Sequence, residues 1–178
     1  YAIDAKRVHM MGFSQGGMMT FRFLCAHAAL FASMAPGAGT GCSFSGADKP
    51  SVEVPILYLH GTKDALVSFS LVGVPQRDAM LSAWGMQPTE TVEQDASHVW
   101  TRYANAAGTV VELIQHDYDT GNPALGGHCY PGSKDDGARA ALQLRVQAAE
   151  RLRVGRGSDE VLRGAPEAMS ASSTARGT

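Results

Sequence analysis

Residues 7–24 read RVHMMGFSQGGMMTFRFL. The apolar run that closes on Gly12 has the length and composition of a short buried strand, assigned to Lys6–Gly12. Residues 16–30, rich in apolar side chains and free of proline, read as a helix. Between them stands Gly12-Phe13-Ser14-Gln15-Gly16. A serine at the crest of a strand-to-helix turn sits in a crowded, strained backbone, so small residues are wanted two positions to either side. The helix beyond aims its free amide donors and the positive end of its dipole at the same point, where an oxyanion would be stabilised. The Gln15 N–H would be one of the donors. The bare pattern arises by chance in roughly one chain of this length in twenty. Its position at a strand–turn–helix junction is what gives it weight.

The rest of the chain sets bounds on this reading. It has 178 residues, 44% hydrophobic and 18% charged, with a formal charge of -2. That fits one globular domain with a sizeable core. The charge argues against a nucleic-acid partner or an anionic membrane surface, and no apolar stretch is long enough to span a bilayer. The start carries neither a secretory signal pattern nor an initiator Met. The three cysteines, Cys25, Cys42 and Cys129, lack zinc-type spacing. No metal or other cofactor is expected.

Working outward, Phe31–Ala35 reads as a second buried strand, and residues 36–51 as a Gly/Ser/Pro-rich loop. Val54–His60, VPILYLH, is the clearest strand, with the turn GTKD after it. Pro75–Trp84 reads as a helix, with proline near its start and Gly85 past its end. Val99–Ala104 and Thr109–His116 flank NAAG and suggest a hairpin. Residues 117–137 form a long polar, glycine-rich loop, residues 138–154 a further helix, and residues 155–178 a tail expected to be disordered. Strands alternating with helices imply an α/β domain with a mostly parallel sheet over residues 1–154. Only about three core strands are evident, which suggests the C-terminal part of a larger sheet.

A serine hydroxyl needs a base to activate it, and the base needs an acid to orient it. Asp64 follows the VPILYLH strand at its carboxyl end, where the sites of open α/β sheets collect. His128 lies further on, in the loop GGHCYPG. The order Ser14, Asp64, His128 is that of hydrolases built on a nucleophile elbow. Among the competing histidines, His9 falls within a strand and His27 on a helix, which points to structural roles. His60 is expected to bond locally. His98 and His116 lie near the hairpin, and His116 is the strongest rival. Asp117 and Asp119 are weaker rivals for the acid. Trp84, Trp100, Phe69 and Tyr130 are candidates to line an acyl or aromatic pocket, with Trp84 read instead as core.

YAIDAKRVHMMGFSQGGMM, FASMAPGAG, PILYLHGTKDALV and GGHCYPG together resemble the polyhydroxybutyrate depolymerase/feruloyl esterase group of α/β-hydrolases, over roughly residues 1–133. The resemblance implies a secreted, extracellular carboxylic-ester hydrolase without a metal, acting on a small or polymeric ester. Ser14 would be the nucleophile, Asp64 the acid and His128 the base. The group's upstream strand and His-Gly loop, which supplies the second oxyanion donor, have no counterpart in this sequence. By that measure these residues alone are expected to be inactive. A Cys42–Cys129 bridge would suit secretion; three unpaired buried thiols are the alternative. Polyhydroxybutyrate depolymerisation outside the cell is the activity the resemblance favours, and feruloyl or acetylxylan ester hydrolysis is the nearest competing substrate reading. A non-catalytic binding module and a serine peptidase of the same fold are the competing classes.

Overall fold

The computed structural model describes residues 2–130. The helix read at 138–154 and the tail at 155–178 lie outside the described residues. Strand β1 (His9–Phe13) leads into helix α1 (Gln15–His27), followed by β2 (Ser33–Gly37) and β3 (Ile56–Gly61). A π-helical turn (Phe69–Gly73) runs into helix α2 (Val74–Ala83). Three strands follow: β4 (Gln87–Gln94), β5 (His98–Ala104) and β6 (Val110–His116). They form one six-stranded sheet in the order β1-β2-β3-β6-β5-β4. The first four strands in that order are mutually parallel, and β5 and β4 add on antiparallel.

The sheet is therefore larger than the three core strands evident from sequence. The strand that sequence reasoning misses is β4, QPTETVEQ. It is an edge strand with seven of its eight residues exposed, so no apolar alternation marks it. Its Pro88 is tolerated because an edge strand need not donate along its outer side. The expected hairpin is present and extends into a three-stranded meander.

The core lies between the sheet and helices α1 and α2. Ile56 and Tyr58 of β3 stand in register with Val111 and Leu113 of β6, and all four are essentially inaccessible. Helix α1 meets them with Gly17, Thr20, Phe21, Leu24 and Cys25, spaced to form one stripe. Phe21 packs edge-on against Tyr58 at 5.2 Å. From α2 and its end, Met80 and Trp84 join the same cluster. Trp84, read as core, is core: it packs against Phe44.

On the opposite face β6 carries Glu112, buried and held by the Arg102 guanidinium at 2.9 and 2.7 Å. Arg102 also pairs with Glu90. This ion-paired row ties β4, β5 and β6 together away from the main core. His9, read as lying in a buried strand, is exposed near the start of β1, with its Nδ1 2.7 Å from Ser33 Oγ.

Candidate active site

The parallel strands β1, β2, β3 and β6 all end on the same side of the sheet, and the sequence-predicted residues collect there. Ser14 follows β1 directly, with φ 57° and ψ -120°. A non-glycine residue in that region is strained, and the surroundings must hold it there. They do so through backbone: the Ser14 N–H donates to the Gly37 carbonyl at 2.9 Å, and its own carbonyl accepts from Met18 N at 2.9 Å.

Glycine is required around the elbow, though not at both motif positions. A Cβ on Gly12 would overlap the Gly16 carbonyl, and one on Gly17 would overlap the Gly37 carbonyl. A Cβ on Gly16 would meet nothing within 4 Å. The close approach of the helix to the sheet therefore depends on Gly12 and Gly17, and the expected steric need at Gly16 is not found among the described residues. Gln15 is the first residue of α1. Its N–H belongs to the first turn, whose donors have no partner within the helix.

Asp64 follows β3 and is wholly buried. Its Oδ1 accepts from Leu66 N at 3.0 Å and Val67 N at 2.7 Å. Its Oδ2 lies 2.8 Å from His128 Nδ1. On the other side of the ring, His128 Nε2 lies 2.9 Å from Ser14 Oγ. A carboxylate only accepts, so Nδ1 carries the proton and donates it to Asp64. Nε2 is then left with a lone pair facing the serine hydroxyl. Ser14, Asp64 and His128, distant in sequence, are thus joined in one hydrogen-bonded series. His116, the strongest rival base, is buried at the end of β6 and is not brought to Ser14. Asp117 pairs with Lys63 at the surface, and Asp119 caps Gly121 N.

Two further histidines are buried nearby, and one of them, His60, backs this series. His60 Nε2 is 2.8 Å from the Val67 carbonyl, so that nitrogen bears the proton, and Nδ1 accepts from the Tyr58 hydroxyl at 2.7 Å. The same Nε2 lies 3.4 Å from Asp64 Oδ2. Burial lowers the His60 pKa, and its neutral ring braces the turn that holds the acid. Burial, with His60 nearby, lowers His116 to about 4. The role of His60 exceeds the local bond expected of it: it links strand β3 to the Asp64 turn.

Of the candidate pocket aromatics, Trp100 and Phe69 are buried, Phe69 against the His60 ring. Tyr130 alone lies beside the site, against Phe13. The disulfide also differs from expectation. Cys25 bonds to Cys42, with Cα atoms 5.6 Å apart, and Cys129 is a free thiol. Helix α1 brings Cys25 under the loop after β2, while Cys129 is carried off on the His128 loop, near the Tyr118 carbonyl. Burial raises the Cys129 pKa, which keeps the thiol protonated.

Glu93, Asp95 and His98 bring one potential metal-ligand atom each within 4.8 Å of one another. Asp95 Oδ1 is already committed to Ser97 N, Ser97 Oγ and His98 N. Those bonds, with the Ser97 side chain first, lower its pKa to about 2. The cluster is accounted for as turn chemistry of the β4–β5 connection.

A largely parallel sheet with a strained serine between its first strand and a helix defines an α/β-hydrolase fold. Within that class, the chain belongs to the phospholipase/carboxylesterase family, whose model matches residues 1–116. That match takes in Ser14 and Asp64 and stops short of His128. The chain is 40% identical over 72 residues to the bifunctional acetylxylan esterase/xylanase XynS20E of Neocallimastix patriciarum, covering 40% of this chain and 10% of that protein. It is 32% identical over 97 residues to a Nocardia uniformis subsp. tsuyamanensis protein named as an esterase, NocK, covering 54% of this chain and 28% of the other. A crystal structure of a thermostable esterase aligns over 91% of this chain and 31% of its own, at 15% identity and a TM-score of 0.44. The chain thus spans less than a third of the length of each of these relatives.

Proposed function

We propose that the protein hydrolyses carboxylic esters through an acyl-enzyme on Ser14. One observation carries the reading: a single imidazole lies 2.9 Å from the serine oxygen and 2.8 Å from a buried carboxylate. His128 takes the hydroxyl proton as Ser14 Oγ bonds to the ester carbonyl carbon, and Asp64 stabilises the imidazolium that forms. The oxyanion accepts from the Gln15 N–H. Collapse breaks the ester C–O bond, and the proton on His128 passes to the departing alcohol. Water, deprotonated by the same ring, then releases the acid and restores Ser14.

The substrate we favour is a short acyl group on a polysaccharide, as in acetylxylan. The 40% identical stretch shared with the acetylxylan esterase/xylanase supports it. A second reading, depolymerisation of polyhydroxybutyrate, draws on HGTKD followed by GGH-x-x-PG. We assign the protein to the cell exterior, where acetylated xylan would be met; the Cys25–Cys42 disulfide suits an oxidising compartment. Protein expressed from its complete coding sequence is to be assayed on acetylated xylan, methyl ferulate and hydroxybutyrate oligomers. Acetate release that Ser14→Ala lowers by about 10⁴-fold or more is expected. Release that survives Ser14→Ala would overturn the mechanism, and turnover confined to hydroxybutyrate oligomers would overturn the favoured substrate.

A further inference from the structure

We infer that Phe13 is a positioning residue for the base: its ring is the wall against which the His128 imidazole is set. This rests on the acyl-enzyme reading above. Phe13 is the last residue of β1 and the immediate neighbour of Ser14. Its ring centroid lies 5.0 Å from that of His128, tilted by 43°, and 5.0 Å from that of Tyr130, tilted by 42°. On its other side the ring packs at Gly37, where an added Cβ would come 3.0 Å from Phe13 Cδ2. The ring is thus wedged between the end of β2 and the loop that carries the base.

Phe13 does not serve the main core. It is only partly buried and stands outside the cluster formed by Phe21, Tyr58, Leu113 and their neighbours. The loop that carries His128 is held internally by backbone bonds, among them Gly126 N to the Asn122 carbonyl at 2.7 Å and His128 N to the Leu125 carbonyl at 2.8 Å, none of which touches the imidazole. Residues 121–125 are exposed. The loop is tied back by Gly127 N to the Lys63 carbonyl at 2.9 Å and by the bridge between Asp64 and Gly126. The hydrogen bonds to Asp64 and Ser14 fix the two ring nitrogens and leave the tilt of the ring about the line between them to be set by what its face meets. An aromatic contact on the ring removes that freedom, and such pairs favour tilted arrangements of this spacing. Because the same short segment carries Ser14, nucleophile and wall move together.

A misplacement of about 1 Å at a reacting group costs up to about 100-fold in rate. Phe13→Ala is therefore expected to lower kcat by about 10- to 100-fold with KM within about threefold. Phe13→Tyr, which keeps the ring, should stay within about threefold of wild type in kcat, and Phe13→Leu, which keeps bulk without the ring, should fall between. If Phe13→Ala does not fold, Phe13→Leu against Phe13→Tyr decides the matter, both read beside their thermal midpoints. Equal kcat in the leucine and tyrosine variants, or a loss that appears in KM alone, would overturn the inference. Ser14→Ala, run alongside on the same ester, separates the two failures. If it abolishes turnover while Phe13→Ala keeps full kcat, the mechanism stands and this inference falls.

Discussion

Ser14 is held from inside the sheet, whereas His128 rides on a loop whose tip, residues 121–125, stands in solvent. The serine's backbone is bonded on both sides, and its helix is pressed against the sheet at Gly12 and Gly17. The histidine depends on a few tethers from the Asp64 turn. The difference shows how such a site divides its work. The nucleophile's geometry is set by backbone sterics and is unforgiving. The base's geometry is set by side-chain contacts and tolerates local change, at the cost of needing a partner for each degree of freedom.

The sharpest way to break this comparison is to add single methyl groups to the elbow. Gly12→Ala and Gly17→Ala each drive a Cβ into backbone and should cost about 3 kcal/mol or more in urea unfolding. Gly16→Ala, in the same motif, should change stability by about 1 kcal/mol or less in either direction, since its Cβ meets nothing and the residue is helical. Comparable losses at all three positions would show that the motif's glycines act through something other than contact.

Next in size is the response to acid. His60 and His116 are neutral in the fold because burial lowers both, His116 from 6.5 to about 4. Below pH 6.5 the unfolded chain binds protons that the folded chain refuses, so stability rises with pH across that window. The contribution is complete above pH 6.5, declines as pH falls, and is gone below about pH 4 for His116. For that residue the span corresponds to ~3 kcal/mol. Urea unfolding at pH 7.5 and 4.5 should show the decline, and His116→Gln should make it shallower. A flat profile would contradict the neutral assignment.

A comparable, slightly smaller effect is expected from reduction of Cys25–Cys42, which closes a separation of 17 residues. Breaking it should cost up to about 3 kcal/mol. The effect should appear in global unfolding and leave the His128 loop's chemistry unchanged, because Cys129 takes no part in the bond. A Cys129→Ser variant with wild-type stability before and after oxidation would agree; loss of the disulfide in that variant would not.

The elbow was legible because its requirements are local: apolar strand, small residues, apolar helix within eighteen positions. The placement of Asp64 and His128 was legible through chain order and through the turn chemistry of GTKD and GGH. Strand β4 was not, since QPTETVEQ is exposed on both faces and burial is what writes a period into sequence. The cysteine pairing was missed for a different reason. Spacing along the chain says nothing of how α1 folds back over the loop after β2, and only that packing brings Cys25 to Cys42. Phe13 gave no signal as a positioning residue either, because an aromatic before a serine reads as ordinary strand filling until the distant loop is seen against it. The same holds for His60, whose reach to the acid depends on the turn between them.

The account's centre is one imidazole serving both the hydroxyl of Ser14 and the carboxylate of Asp64. A fluorophosphonate, which bonds to an activated serine oxygen, tests it most directly when the inactivation rate is followed and the adduct is located by mass spectrometry. The account predicts one adduct, on Ser14, formed at a rate that His128→Ala lowers by about 10³-fold or more. An adduct elsewhere, or an unchanged rate without the imidazole, would contradict it.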